Sequence, residues 1–539
     1  MTPPSAGAPS PPASRVPSPL RDRVVRRPTG GGPPAPNHPH HQEGRLSMGR
    51  HTRTALPGRF RTWLAAGAVA LTAAGGVPAA QAADSAPAAS RPDFDADGST
   101  DLVVGVPQDD SSTGRVTVLP GSASGPNAAA RKTLTQDSPG VPGADETGDR
   151  FGAATATGDI DGDGRLDLVI GAPGEDDTSG HADRGAITVL DGASGMTEGF
   201  SFTTTSPSTP AGVGVGAAVT VGDFDDDGKG DILAVGEGDG GQGFQTIRAD
   251  DGTRSTMLLS DGAIDHTAAV SADFDGDGYD DVAINFRDHL GKSYVMVEHG
   301  SPYGLQSGRL LETPGGRSLA VGDLDGDGRD DLVIGQAATA ESKAHAGGQV
   351  TVVYGRARAS TEIALDAATA RTVHQDSPEV PGAAEAGDAM GSAVAVADFN
   401  GDGRMDVLTG LPGEDTVNGA DVGMALLLSG TGTRDGLTGT GSVLLSQDTG
   451  ATPGVGEPGD RFGSDVVLTD LTGTGGPDLA IGISGENDGD GSILQIDSAA
   501  GVYNLASGVY YGRTTIGTTS GARLGTVLAL ATSRASALV

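Results

Sequence analysis

The chain of 539 residues contains 89 Gly and no Cys, carries a formal net charge of −36, and is 36% hydrophobic and 4% aromatic. Glycine is at more than twice its usual share of roughly 7%, so the chain is rich in turns and its core must be built from short runs of Val, Ile, Leu and Ala. The lack of Cys excludes a disulfide framework, a thiolate zinc site and a Cys nucleophile. The acidity excludes nucleic-acid binding, which needs Lys and Arg to neutralise phosphates.

Residues 1–47 are rich in Pro, Arg, Ser and Gly without an apolar period, the composition of a disordered leader or of a start placed upstream of the true one. Met48 is the better initiator. Residues 48–82 combine a basic stretch to Arg61, an apolar run from Trp63 to Val77, and Pro78-Ala79-Ala80-Gln81-Ala82. That order is a secretory signal peptide cleaved after Ala82. The run is shorter than the ~20 residues of a membrane span, so no span is expected after cleavage, and the expected location is secreted and extracellular. Ten Arg and only two acids fall in the first 82 residues, so the acidity is concentrated downstream of Ala82. Residues 83–92 read as a short linker and 531–539 as a tail.

Between them, over 93–530, the nonapeptide pattern D-x-D-x-D-G-x-x-D recurs seven times, starting at Asp93, Asp159, Asp223, Asp273, Asp323, Asp398 and Asp470, with 50 to 75 residues between starts. Each period suits one supersecondary unit. Each copy is followed by a short apolar run such as Leu168-Val169-Ile170 or Leu332-Val333-Ile334, which reads as a buried strand. Most are preceded by a strand of small residues, as in Ala153–Thr157 and Ser392–Val396, suited to a crowded central axis. Three or four antiparallel strands per repeat make a propeller blade. The fold class is therefore all-β, a seven-bladed β-propeller. The first copy lies so early that its blade lacks an inner strand. The segment Ala522–Leu528 resembles the missing one, so the C-terminal strand is expected to complete blade one and close the ring, removing exposed edges.

The nonapeptides suit calcium, a hard cation that takes six to eight oxygen ligands. In the second copy Asp159, Asp161 and Asp163 supply side-chain oxygens, Arg165 a backbone carbonyl, and Asp167 closes the shell. The corresponding ligands are Asp93, Asp95, Asp97 and Asp101; Asp223, Asp225, Asp227 and Asp231; Asp273, Asp275, Asp277 and Asp281; Asp323, Asp325, Asp327 and Asp331; and Asp398, Asn400, Asp402 and Asp406. An EF-hand would need Glu at position twelve, where Ile170, Ala234, Ile284 and Ile334 stand instead. Without a cation such crowded carboxylates repel one another. Five or six calcium sites are expected. The seventh loop, where Thr472 and Thr474 replace acids beside Asp470 and Asp478, is expected to be weak or empty.

These residues resemble the FG-GAP repeats of the integrin α-subunit propeller and of secreted bacterial proteins. The signatures are Phe151-Gly152 with Gly171-Ala172-Pro173, Met390-Gly391 with Gly410-Leu411-Pro412, and Phe462-Gly463 with Gly482-Ile483-Ser484. Blades four and five depart most, with Asn285-Phe286 where GAP would fall. The resemblance implies that each loop joins a blade's first two strands and that its calcium is structural. It does not transfer a ligand.

Function is then expected to be that of a monomeric, non-catalytic binding or adhesion scaffold whose partner is an extracellular protein or polysaccharide. The face opposite the calcium loops carries Glu175, Asp176, Asp177 and Asp183; Glu414, Asp415 and Asp421; Glu486, Asp488 and Asp490; and Asp145, Glu146 and Asp149. This is either a solvated surface or a site for a basic or cation-bridged partner. An extracellular hydrolase or carbohydrate-binding protein on the same propeller is the alternative. His181, His266, His289, His299, His345 and His374 are scattered without an H-E-x-x-H spacing, and no G-x-S-x-G elbow occurs after the signal. A carboxylate pair for glycoside hydrolysis stays open, since only its spatial separation is diagnostic.

Overall fold

A computed structural model describes residues 92–529 except 178–179, 204–210, 249–251, 253, 359–361 and 500. The leader, the signal segment, the linker up to residue 91 and the tail lie outside the described residues.

Among the described residues there are seven four-stranded antiparallel sheets, each from strands in chain order except blade one, whose inner strand comes from the C-terminal end. Blade two is representative: Ala154–Gly158, Asp167–Ala172, Ala186–Leu190 and Gly199–Thr203 pair in sequence order, with Ala156 opposite Val169 and Val169 opposite Val189. The second strand is buried along its whole length in every blade except for the last two residues of Asp281–Asp288 in blade four. That explains its apolar runs: both faces meet a neighbouring blade, so strict alternation has no use. Outer strands face solvent, and Arg254–Leu258 in blade three is exposed throughout.

The cores lie between blades. Phe94, Val103, Val116, Phe151, Leu168 and Ile170 pack blade one against blade two, while Leu102, Val104, Ile493, Leu524 and Leu528 pack blade seven against blade one. Each such fully buried aliphatic side chain contributes about 1.5–3 kcal/mol. The inner strands of all seven blades line a central channel of about 400 Å³, from Ala154 in blade two to Val527 in blade one. The small residues expected near the axis are there.

Closure occurs as expected, with a shorter strand. Val527–Ala529 pairs antiparallel with Leu102–Val106, setting Leu528 opposite Val104. Residues 522–526 are not strand because Gly525 has φ +93° and turns the backbone. They serve as the FG-like pair of blade one: Leu524 bridges to Gly491 of blade seven, as Phe151 bridges to Gly114, Met390 to Gly348 and Phe462 to Gly423.

The same geometry explains the two-glycine signature. A Cβ on Gly105 would lie 2.2 Å from the carbonyl oxygen of Gly152, and one on Gly482 would lie 1.9 Å from that of Gly525. Backbones of adjacent blades therefore touch where only glycine fits. Between blades four and five a side-chain amide replaces this contact. Asn285 donates from Nδ2 to the Gly316 carbonyl at 3.0 Å and accepts the Gly316 N–H on Oδ1 at 2.7 Å. The departure of these blades at the GAP position is thus compensated by a two-way hydrogen bond.

Candidate metal centres and the opposite face

Six of the nonapeptides join the first and second strands of their blades, and the one at Asp93 leads directly into the second strand of blade one, so all seven lie at the same end of the propeller. In the second loop Asp159 accepts the N–H groups of Gly162 (2.8 Å) and Asp163 (3.0 Å) on Oδ1 and that of Gly164 (2.8 Å) on Oδ2. Asp161 accepts the Asp163 N–H at 3.1 Å, and Asp163 accepts the Arg165 N–H at 2.8 Å. Arg165 itself reaches the Phe94 carbonyl of the first loop at 2.7 Å. Asp93, Asp223, Asp273, Asp323 and Asp398 fold their loops in the same way, each accepting N–H groups four and five residues on. Backbone donors thus hold the first acid, and in the first and second loops the acids at positions three and five keep a second oxygen to present.

The ninth position is a tie between strands. Asp167 accepts the Ile160 N–H at 3.0 Å and the Gly192 N–H at 2.9 Å; Asp101 and Asp331 do the same with Phe94 and Gly121, and with Leu324 and Gly355. Burial outweighs these hydrogen bonds, pushing Asp101 and Asp167 up to about 6 and Asp331 up to about 7, with neighbouring acids adding to the rise. Asp231, Asp281 and Asp406 occupy the equivalent buried place, and Asp281 also has His299 Nδ1 at 3.4 Å.

The donor set fits calcium. Asp93, Asp95 and Asp97 bring ligand oxygens within 4.8 Å of one another, as do Asp159, Asp161 and Asp167, all from hard carboxylates. The loops nonetheless fall into two classes that the sequence did not reveal. Asp95, Asp161 and Asn400 at position three are exposed. Asp225, Asp275 and Asp325 are instead covered by arginines from connections between third and fourth strands: Arg248 pairs with Asp225, Arg358 Nε with Asp275 at 2.8 Å, and Arg434 Nε with Asp325 at 2.7 Å. Arg434 also reaches Asp327 at 3.2 Å, which Arg329 contacts as well. Asp227, Asp277 and Asp402 remain accessible. In the seventh loop Asp470 still accepts the N–H groups of Thr474 and Gly475, while the Thr472 hydroxyl donates to Asp478 at 2.9 Å. That loop keeps its shape with fewer acids.

The opposite face is less uniformly displayed than its sequence suggests. Asp145, Glu146, Asp176, Asp183, Asp415, Asp421 and Asp488 are exposed. Asp149 is buried, and Asp177 pairs with Arg184 and His181. Glu175, Glu414 and Glu486 are half-buried, each accepting from a glutamine of the connection before its blade, Gln136, Gln375 and Gln447. Asp490 is held by Arg513 and Ser520. Much of this acidity is therefore structural. His345 and His374, far apart in sequence, stack here with centroids 3.9 Å apart.

Two family models match the chain: the FG-GAP repeat over residues 88–119, 151–190 and 390–428, and the FG-GAP-like repeat over 273–334. Integrin alpha-X of Mus musculus is 42% identical over 106 residues, 19% of this chain and 8% of that protein. Integrin alpha-PS2 of Drosophila melanogaster is 29% identical over 262 residues, 45% of this chain and 14% of that protein. The chain therefore spans only a small part of the length of these relatives. Among solved structures, the rhamnogalacturonan lyase YesW aligns with a TM-score of 0.31 at 13% identity over 64% of this chain and 71% of that one. The dihydro-heme d1 dehydrogenase NirN aligns at 0.39 and 12%, over 78% and 75%. Similarities that low carry no argument about activity. Each matched segment contains at least one aspartate loop, and the chain carries FG-GAP repeats in an integrin-alpha-like seven-bladed propeller.

Proposed function

We propose that this protein is an exported, non-catalytic binding scaffold whose propeller is stiffened by calcium in the loops starting at Asp93, Asp159, Asp223, Asp273, Asp323 and Asp398, the loop at Asp470 being weak or empty. The FG-GAP propeller supports a binding scaffold at the level of the family. The observation that carries the calcium reading is the backbone cradle around each first aspartate, which gathers further acids at one point in loop after loop. Calcium bound there would neutralise them and fasten the first strand to the second.

The partner is an extracellular protein or polysaccharide, held by the exposed acids of the opposite face. Asp176, Asp415 and Asp488 lie in equivalent connections of blades two, six and seven, and three like-charged points around one rim suit a basic or cation-bridged ligand. Retention of a cationic polysaccharide and of a Lys-rich peptide, measured with calcium present and alongside assays for released sugar, tests this. Retention without release, weakened in the triple Asp176→Asn, Asp415→Asn, Asp488→Asn variant, supports it. Sugar release would move the assignment to a hydrolase, and retention unchanged in the variant would remove this face as the binding site.

A further inference from the structure

The stacked histidines belong to a cluster that the calcium loops do not explain. Blade five's second and third strands are joined by a connection containing the short helix Thr339–Ser342 and then His345. This histidine is anchored on both sides: its N–H donates to Gln349 Oε1 at 2.8 Å, and its carbonyl accepts the Thr339 hydroxyl at 3.0 Å. Its ring Nδ1 lies 2.7 Å from the Ala346 carbonyl. A proton on Nδ1 therefore makes that bond and leaves Nε2 as a free lone pair, which points to Asp376 Oδ2 at 3.4 Å. His374 follows the outer strand of the same blade, and its ring is parallel to His345 within 2°. Its Nδ1 is buried without a hydrogen-bond partner among the described residues.

The chain contains its own controls for this turn. Between blades one and two the turn reads Thr135-Gln136-Asp137-Ser138, and between blades six and seven it reads Ser446-Gln447-Asp448-Thr449. In all three copies the first N–H donates to the fourth side-chain hydroxyl, at 2.9, 3.0 and 2.9 Å. In all three the aspartate accepts on Oδ1 a backbone N–H eight residues on. The fold of the turn thus needs only a residue with a free N–H at its first position. Blade five places an imidazole there, brings a second imidazole against it, and leaves Asp376 Oδ2 facing both.

We infer that His345, His374 and Asp376 form a site for a borderline divalent transition metal of the zinc class, on the face opposite the calcium loops. One ligand atom from each residue lies within 4.8 Å of the other two. Zinc bonds of about 2.0–2.2 Å need donors about 3.3 Å apart in a tetrahedron, a spacing His345 and Asp376 have already reached. Parallel rings cannot both aim in-plane lone pairs at one ion, so ligation requires the His374 ring to turn out of the stack. Two imidazoles and one carboxylate suit zinc and exclude calcium as the preferred ion, since calcium takes oxygen. The bond from Nδ1 of His345 to a backbone carbonyl is the outer support that metal-binding histidines need. Three protein ligands leave a fourth position for water or for a donor from a partner.

The test uses the full exported chain with calcium saturating, so that the aspartate loops are filled, and titrates zinc by calorimetry and cobalt by its visible absorption. One equivalent binds, and cobalt develops the intense bands of a tetrahedral site. His374→Thr, which installs the residue of the first turn, and His345→Ala each weaken zinc binding by at least about 100-fold, the upper end of what even an outer partner is worth. Asp376→Asn keeps the Oδ1 hydrogen bond and weakens binding less. Calcium-dependent melting of His374→Thr stays that of the parent, which separates lost ligation from lost folding. Zinc binding equal in the parent and in both histidine variants, or no binding tighter than millimolar in the parent, would overturn the inference.

Discussion

Asp465, on the innermost strand of blade seven, accepts the backbone N–H of Leu528 on Oδ2 at 2.7 Å, while its Oδ1 accepts the N–H of Val466 at 2.9 Å. Leu528 is the middle residue of the strand that completes blade one, so one carboxylate ties blade seven to the strand that closes the ring. Removing it leaves a donor beside the channel without a partner, which costs about 1–3 kcal/mol. Asp465→Ala should lower stability to urea by that amount and speed amide exchange at Leu528 ahead of Val104 and Val118. Uniform exchange across blade one would show that the seam does not depend on this bond.

Closure also rests on Gly482 meeting Gly525. Gly482→Ala places a methyl against a carbonyl that cannot move without its blade, and overpacking of this kind costs about 1–3 kcal/mol. Gly512, in the outer strand of the same blade, has open space at its Cβ position, so Gly512→Ala should fall within about 0.5 kcal/mol of the parent. Urea midpoints of the two variants check the contrast. Equal effects would mean that the inter-blade glycine contact is not the reason for the signature.

The arginines over Asp225, Asp275 and Asp325 compete with a cation for the same carboxylates. Calcium titrations should therefore show a tighter group of sites, at the loops starting at Asp93, Asp159 and Asp398, and a weaker group at the other three. Arg434→Ala should tighten the blade-five site several-fold, read by terbium luminescence or calorimetry. Affinity unchanged or weakened in that variant would show that the arginine does not oppose the ion.

Asp149 gives the calcium-free protein a pH dependence. It is buried, accepts the Glu146 N–H at 2.8 Å, and is pushed up to about 7 by burial, with Glu175, Glu146 and Asp176 adding to the rise. Asp465 is likewise pushed up to about 7 by burial. A carboxyl whose folded value exceeds its unfolded one binds more protons when folded, so stability declines as pH rises between about 4 and 7. Melting in chelator should fall across that window, and Asp149→Asn, which keeps an acceptor for the Glu146 N–H, should flatten the slope. A slope of the opposite sign would mean that these carboxyls are not raised in the folded protein.

What could be read from sequence was local. The nonapeptides announce themselves because their ligand spacing lies within nine residues, and the apolar runs after them because a strand buried on both faces needs no alternation. Ring closure was legible by counting, since blade one lacked a strand and Val527–Ala529, overlapping the expected Ala522–Leu528, supplied one. What escaped were contacts between segments brought together by the ring. Arg358 and Arg434 reach their aspartates from 83 and 109 residues away, His345 and His374 meet only because one blade's inner connection faces its outer strand's end, and the Asn285–Gly316 amide bridge replaces a motif with chemistry that no motif describes. The acidic face was overread for the same reason, because Gln136, Gln375 and Gln447 tie down glutamates that look free in one dimension.

The central claim is that aspartates crowded at one end of each blade are reconciled by calcium. Thermal unfolding of the protein in chelator and in millimolar calcium measures this most directly, since an ion that binds only the folded protein stabilises it by about 2.7 kcal/mol per site at a hundredfold excess over its dissociation constant. The expected result is a large upward shift in Tm that shrinks when Asp159, Asp161 and Asp163 are replaced by Asn together. Coincident unfolding curves with and without calcium would contradict it.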